Sequence, residues 1–138
     1  MHWMLMPLRR YAEFSGRSRR KEYWMFFLLN LLIGLVVWGL LLATFVAGMS
    51  EEAMTVVMTP VFILYGLVAL AFIIPGLAVT VRRLHDTDRS GWNILLGLIP
   101  IVGVILLLVF YCTEGTPGPN RFGPDPKAGE TARTAAFA

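Results

Sequence analysis

Charge is what this chain has least of. Asp, Glu, Lys and Arg make up 15% of its 138 residues, against roughly 25% in ordinary soluble domains. The shortage is concentrated in three stretches with no charged side chain: Tyr23 to Ser50, Ala53 to Val81, and Ser90 to Thr113. Each exceeds the ~18 apolar residues that mark a membrane-span candidate. None shows the polar stripe of a helix packed on a soluble core. A single cysteine, Cys112, excludes an internal disulfide and leaves the redox compartment open. Also missing are a Ser-His-Asp order, paired carboxylates inside a run, a Walker loop and a dinucleotide glycine pattern. Charge embedded in the apolar runs, the usual mark of a transport pathway, is absent as well. These absences point away from an enzyme and from a solitary transporter, and no cofactor is implied.

What is present describes an all-α membrane protein with three transmembrane helices, at about 24–48, 56–81 and 92–112. One membrane domain covers 1–126, and a polar, disordered tail is expected over 127–138. The first run is too long for a signal h-region and lies more than twenty residues into the chain, so it is expected to remain as a span. Arg9, Arg10, Arg17, Arg19, Arg20 and Lys21 precede it, whereas the first connection holds only Glu51 and Glu52. The second connection is basic again, with Arg82, Arg83 and Arg89. The positive-inside rule then predicts a cytoplasmic N-terminus, an outer acidic connection and a cytoplasmic Arg82–Gly91 loop.

Local patterns refine the spans. Met1 to Phe14 interleaves Trp3, Leu5, Met6, Leu8, Tyr11 and Phe14 with Arg9, Arg10 and Glu13, which suits an amphipathic segment in the headgroup region. Gly16 ends that segment, and Ser18 is placed to cap the helix that follows. Tyr23 and Trp24 stand where an aromatic belt belongs. Asn30 is the strongly polar residue of the first span, and Gly39, Ala43 and Ala47 form a small-residue ridge. Pro75 predicts a kink in the second span. In the third, Pro100 and Gly103 fall at mid-length. The total length favours one kinked crossing, with the tail outside; two re-entering half-helices would leave the tail inside. Beyond Thr113 the Gly- and Pro-rich run to Pro126 predicts an irregular coil on the membrane surface.

The ten residues Arg82-Arg-Leu-His-Asp-Thr-Asp-Arg-Ser-Gly91 concentrate the polar chemistry. His85, Asp86 and Asp88 could ligate a metal, but no second His or Cys stands at ligand spacing. Structural roles account for the same residues: Arg82 faces Asp86 at i,i+4, and His85 complements the helix C-terminus. Asp88 or Ser90 caps the next helix, while Trp92 anchors the interface. Arg17, Arg19, Arg20 and Lys21 share a face with Arg82, Arg83 and Arg89 and could hold anionic lipid headgroups. A membrane-protein partner or a second copy is the other expected contact, including an oligomeric channel built around Asn30, Pro75 and Pro100. No aromatic-interleaved nucleic-acid fold is available, so no nucleic acid is expected.

Three blocks carry a resemblance: Phe14-Ser-Gly-Arg-Ser-Arg19 with Glu22-Tyr-Trp24; Arg82-Arg-Leu-His-Asp86 with Ser90-Gly-Trp92 and Ile99-Pro-Ile-Val-Gly103; and Gly115 with Gly118-Pro-Asn-Arg-Phe-Gly-Pro-Asp-Pro126. Together they resemble the DUF805 family of small bacterial inner-membrane proteins. Asp88, where the family often has glycine, and Asn93, where a second aromatic is usual, are the departures. The resemblance implies a compact helical fold in the bacterial inner membrane and brings no activity, because the family is named for unknown function. It also implies that the polar motifs pack as one interfacial cluster of Arg17, Arg19, Arg82, Arg83, His85, Asp86, Ser90, Trp92, Asn120 and Arg121. Such a cluster would draw the tail inward, against the three-span count.

Overall fold

The computed structural model describes residues 2–129. Within them the protein is helical: α1 (His2–Arg9), α2 (Arg20–Val46), α3 (Glu51–Asp86), a 3-10 segment (Gly91–Leu98) and α4 (Val102–Cys112). Two of these, α2 and α3, are long and apolar enough to cross a membrane; α4 is apolar but short. The expected disordered end falls mostly on 130–138, outside the described residues.

Helix α2 starts without a side-chain cap. Arg19 is its N-cap residue, and the hydroxyl of Ser18 is buried with no hydrogen-bond partner, so the capping role expected of Ser18 is not observed. The backbone N–H of Ser18 is instead spent on the carbonyl of Arg82, at 3.1 Å. The other end of α2 closes tightly. Gly48 N–H bonds Phe45 O and Met49 N–H bonds Thr44 O, at 3.1 and 3.3 Å. This paired closure needs the positive φ that Gly48 supplies. Ser50 then caps α3, its Oγ accepting from Ala53 N–H at 3.3 Å, with Glu51 and Glu52 at the positive end of the helix dipole. So short a connection makes α2 and α3 antiparallel neighbours.

Along most of their length these two helices face outward. Trp38, Val46 and Val56 are 69, 76 and 75% exposed, which leaves an apolar surface suited to lipid rather than water. Apart from Thr44 and Met58, the buried groups gather at the end where α2 begins and α3 finishes. Leu84, Leu107 and Tyr111 form a small core there, flanked by Tyr23, Trp24, Ile94 and Phe110. Tyr23 and Tyr111 pack with ring centroids 4.6 Å apart.

The third apolar run differs from the continuous crossing that its length favoured. Its 3-10 segment stops at Leu98, the chain reverses through Ile99-Pro100-Ile101, and α4 runs back. Ile101 sits at φ 64, ψ −66, and Val102 N–H bonds Pro100 O at 2.7 Å; together they make the rare form of the three-residue γ-turn. The two limbs pack closely. A Cβ on Gly103 would lie 1.7 Å from the Leu96 carbonyl oxygen, and one on Gly97 would lie 3.3 Å from Leu107 Cδ1. Pro100 removes an N–H and disfavours helix in the residue before it, which is why the run breaks there. Both feet of the hairpin therefore stand at the same end of the molecule.

Candidate functional site

At that end lies a buried polar knot. Arg17, Glu22, Arg82, Arg83 and Asp86 are each at most 5% exposed. Three guanidinium groups face only two carboxylates, so the remaining donors must find other oxygen. Backbone carbonyls supply it for most of them, while Arg82 Nε stays buried without a partner. Arg17 reaches Asp86 Oδ1 through Nε at 3.0 Å, Gly118 O through Nη1 at 2.6 Å and Thr116 O through Nη2 at 2.5 Å. Arg82 donates through Nη2 to Glu22 Oε1 at 2.9 Å, and through Nη1 to Glu13 O and Arg10 O at 2.9 and 3.3 Å.

Arg83 explains why the hairpin returns. Its Nη1 meets Asp86 Oδ2 at 2.5 Å, its Nε donates to Tyr111 O at 3.1 Å, and its Nη2 donates to Thr113 O. The last carbonyls of a helix have no partner within that helix. Here α4 ends on Arg83 and on Arg20, whose Nη1 donates to Cys112 O at 3.1 Å. The guanidinium fork thus satisfies a helix C-terminus and pins it beside the end of α3.

The tail is bound into the same knot. Thr116 N–H donates to Asp86 O at 2.8 Å, and Asn120 Nδ2 donates to His85 O at 2.9 Å. Gly115 lies so close that a Cβ would sit 2.1 Å from Asp86 Oδ2. His85 stacks flat on Phe122 at 3.9 Å, and its Nδ1 lies 3.2 Å from Gly16 O, which makes Nδ1 the protonated nitrogen. Arg19 bonds Pro126 O. Asp125 accepts from the N–H groups of Lys127 and Gly118; those bonds, Lys127 first, hold its carboxyl below the usual aspartate range. Glu114 bridges Lys127 and Arg20 at 2.8 Å each, and the Lys127 hydrogen bond is the main cause of its lowered pKa.

Most of the residues expected in one cluster converge. Arg17, Arg82, Arg83 and Asp86 form its interior, with Arg19, His85 and Asn120 on its edge. Arg121 lies outside, with Nε 3.2 Å from Asp88 Oδ1. Ser90 and Trp92 stand apart from the knot. Ser90 Oγ caps the 3-10 segment by accepting from Trp92 N–H at 3.4 Å; Trp92 is 78% exposed. Both border a 410 Å³ groove with Phe14, Leu77, Val81 and His85.

Two expectations need correction. Arg82 does not pair with Asp86 at i,i+4, because Arg83 and Arg17 already occupy both oxygens of that carboxylate, and Arg82 turns to Glu22 instead. Nor do Arg17, Arg82 and Arg83 form an exposed basic surface, since they are internal. Glu22 and Gly115 were expected only as parts of the family-like blocks, not as named members of the cluster, and Thr116 was not foreseen. Glu22 had a signal: a buried arginine needs a carboxylate, and Glu22 stands beside the basic run at the mouth of the first span. As for metal ligands, no three His, Cys, Asp or Glu side chains converge among the described residues.

Comparison with known proteins agrees with this geometry. The sequence model of a family described as protein of unknown function (DUF805) matches residues 11–124, a range that takes in Arg17, Glu22, Arg82, Arg83 and Asp86 and leaves out Arg10 on one side and Asp125, Pro126 and Lys127 on the other. Inner membrane protein YhaI of Escherichia coli is 46% identical over 129 residues, covering 94% of this chain and 98% of its own. Inner membrane protein YhaH of Escherichia coli is 47% identical over 127 residues, covering 92 and 98%. No solved structure matches the chain. With an arginine knot inside the matched range and two long apolar helices, the chain belongs to the DUF805 family of integral inner-membrane proteins, whose function is unknown.

Proposed function

We propose that this chain is a non-enzymatic membrane module whose polar cap docks on anionic lipid headgroups or on an acidic partner protein. The carrying observation is that the knot uses its own charges. Each guanidinium and carboxylate inside it is already engaged by another, Arg82 Nε alone being buried without a partner, so none is poised for chemistry, and the cap is held as one body. Cations available to a partner stand on the rim, where Arg9 and Lys21 are exposed. In this reading charge asymmetry puts the cap in the cytoplasm, with residues 114–129 on the same side as the segment before α2. Reporter fusions at either end should then be active only in the cytoplasm; an externally active C-terminal fusion overturns this orientation.

Lipid is the favoured ligand because Arg9 and Lys21 belong to the segments that carry Trp3 and Trp24, the aromatic residues of a membrane boundary. A cation near an anionic surface contributes on the order of 1 kcal/mol. Reversing both, Arg9→Glu with Lys21→Glu, should therefore cut co-purified anionic phospholipid about tenfold or more. Unchanged lipid in a correctly inserted variant sinks the lipid reading, and photo-crosslinking from position 21 then identifies a protein partner if there is one.

A second reading, an oligomeric transport component, is supported by the exposed Asn30, which lines a 210 Å³ crevice with Phe72, Gly76 and Thr80. Flux in proteoliposomes that is abolished by Asn30→Leu would favour it.

A further inference from the structure

Seen along its long axis, the molecule is unequal. At the cap end five segments gather among the described residues: α1, α2, α3, the 3-10 segment and α4. At the far end only α2 and α3 continue. The hairpin limbs set the depth of this step. Eight residues of 3-10 helix rise about 16 Å, and eleven residues of α-helix rise about 16 Å. A bilayer core is about 30 Å thick, so the hairpin reaches roughly its middle. Both feet are fixed at the cap, one beside Asp88 and the other on Arg83.

The hairpin surface is made for hydrocarbon. No Asp, Glu, Lys or Arg occurs from Ser90 to Thr113, and Leu98, Ile101 and Val102 at the tip are 79, 75 and 59% exposed. Irregular backbone facing lipid must hide its polar groups. At the turn the N–H groups of Ile99, Val102 and Gly103 bond Leu96, Pro100 and Ile99 carbonyls, and Pro100 has no N–H to hide.

We propose that the hairpin is a half-membrane wedge, displacing phospholipid from the cap-side leaflet alone, so that the protein prefers bilayers curved convex toward its cap. The occupant of the hairpin surface is therefore the acyl chains of that leaflet. The inference rests on the same membrane placement as the proposed function, but not on binding of headgroups by Arg9 and Lys21.

The test uses the full chain reconstituted into phosphatidylcholine vesicles, whose zwitterionic headgroups remove the rim charges from the comparison. Cys112, the only cysteine, is exposed at the cap end and reports orientation through labelling by a membrane-impermeant maleimide, before and after detergent. Small sonicated vesicles have a strongly convex outer leaflet, and large extruded ones are nearly flat. The ratio of cap-out to cap-in protein should be about twofold or more higher in the small vesicles, since a population shifts by its differential free energy. Equal ratios in both sizes overturn the wedge. A second copy covering the hairpin would square off the shape; equal ratios together with a dimeric mass would identify that cause. The variant Leu98→Asp/Ile101→Asp places charge at the tip, where it is expelled from the core; its ratio should not depend on vesicle size. Should it keep the full dependence, cap bulk and not the hairpin sets the orientation, and the proposal fails.

Discussion

At the scale of single residues, Asp86 carries the greatest consequence. Its two carboxylate oxygens hold Arg17 and Arg83, and its carbonyl holds Thr116. Removing one partner of a buried ion pair leaves an uncompensated charge, at a cost of about 3–5 kcal/mol. Asp86→Asn should lower the unfolding free energy in detergent by that amount, whereas Glu51→Gln, on an exposed helix start, should change it by less than about 0.5 kcal/mol. Equal effects would mean that the knot does not hold the cap. Acid should act through Asp125. Its folded pKa lies below the unfolded value of 3.8, so its contribution is complete above that pH and is lost as pH falls through the folded pKa. Cap stability, followed as a thermal midpoint from about pH 5 to pH 2.5, should fall further in the natural protein than in Asp125→Asn. The polar motifs were legible as a group because they stand at the ends of apolar runs. Their pairing was not, because it depends on which carboxylate reaches which guanidinium across 60 or more residues of sequence.

At the scale of elements, the two long helices could be read from composition alone. An uncharged run of that length with no polar stripe does not suit a helix half-exposed on a soluble core. The third run has the right length for a crossing and still turns back. Length counts hydrocarbon to be covered, while the fold is decided by where the final carbonyls of α4 find donors, and those are on Arg83 and Arg20. Two substitutions separate hairpin from continuous helix by sign. Ile101 is held at positive φ, so Ile101→Gly should stabilise a hairpin by about 1 kcal/mol. A methyl on Gly103 would meet the Leu96 carbonyl at 1.7 Å, so Gly103→Ala should destabilise it by about 3 kcal/mol. In a continuous helix both signs reverse, because alanine is favoured over glycine by about 1 kcal/mol. Thermal midpoints of the two variants in one detergent decide the matter.

At the scale of the whole molecule, the Gly- and Pro-rich tail is part of the cap and not an appendage. Composition alone suggested a coil lying on the surface; its many turn formers instead present carbonyls at Thr116, Gly118 and Pro126 to Arg17 and Arg19. The N-terminal segment and the tail are thus joined through arginines that neither could bury alone. Protease access measures that dependence directly. Arg17 and Ser18 are 5 and 0% exposed, so trypsin should not cut between them in the intact chain and should act first at exposed sites such as Arg9. Deleting residues 114–138 retains Thr113 O for Arg83 but removes every tail acceptor of Arg17. Water then replaces those carbonyls, the segment around Arg17 opens more often, and cleavage there rises with the population of the open form. Mass spectrometry of the fragments should show a new cut after Arg17 in the truncated protein, with α2 and α3 still intact. An unchanged digest would mean that α1 and Glu22 hold the N-terminal segment without the tail, and that the cap is two structures sharing one surface.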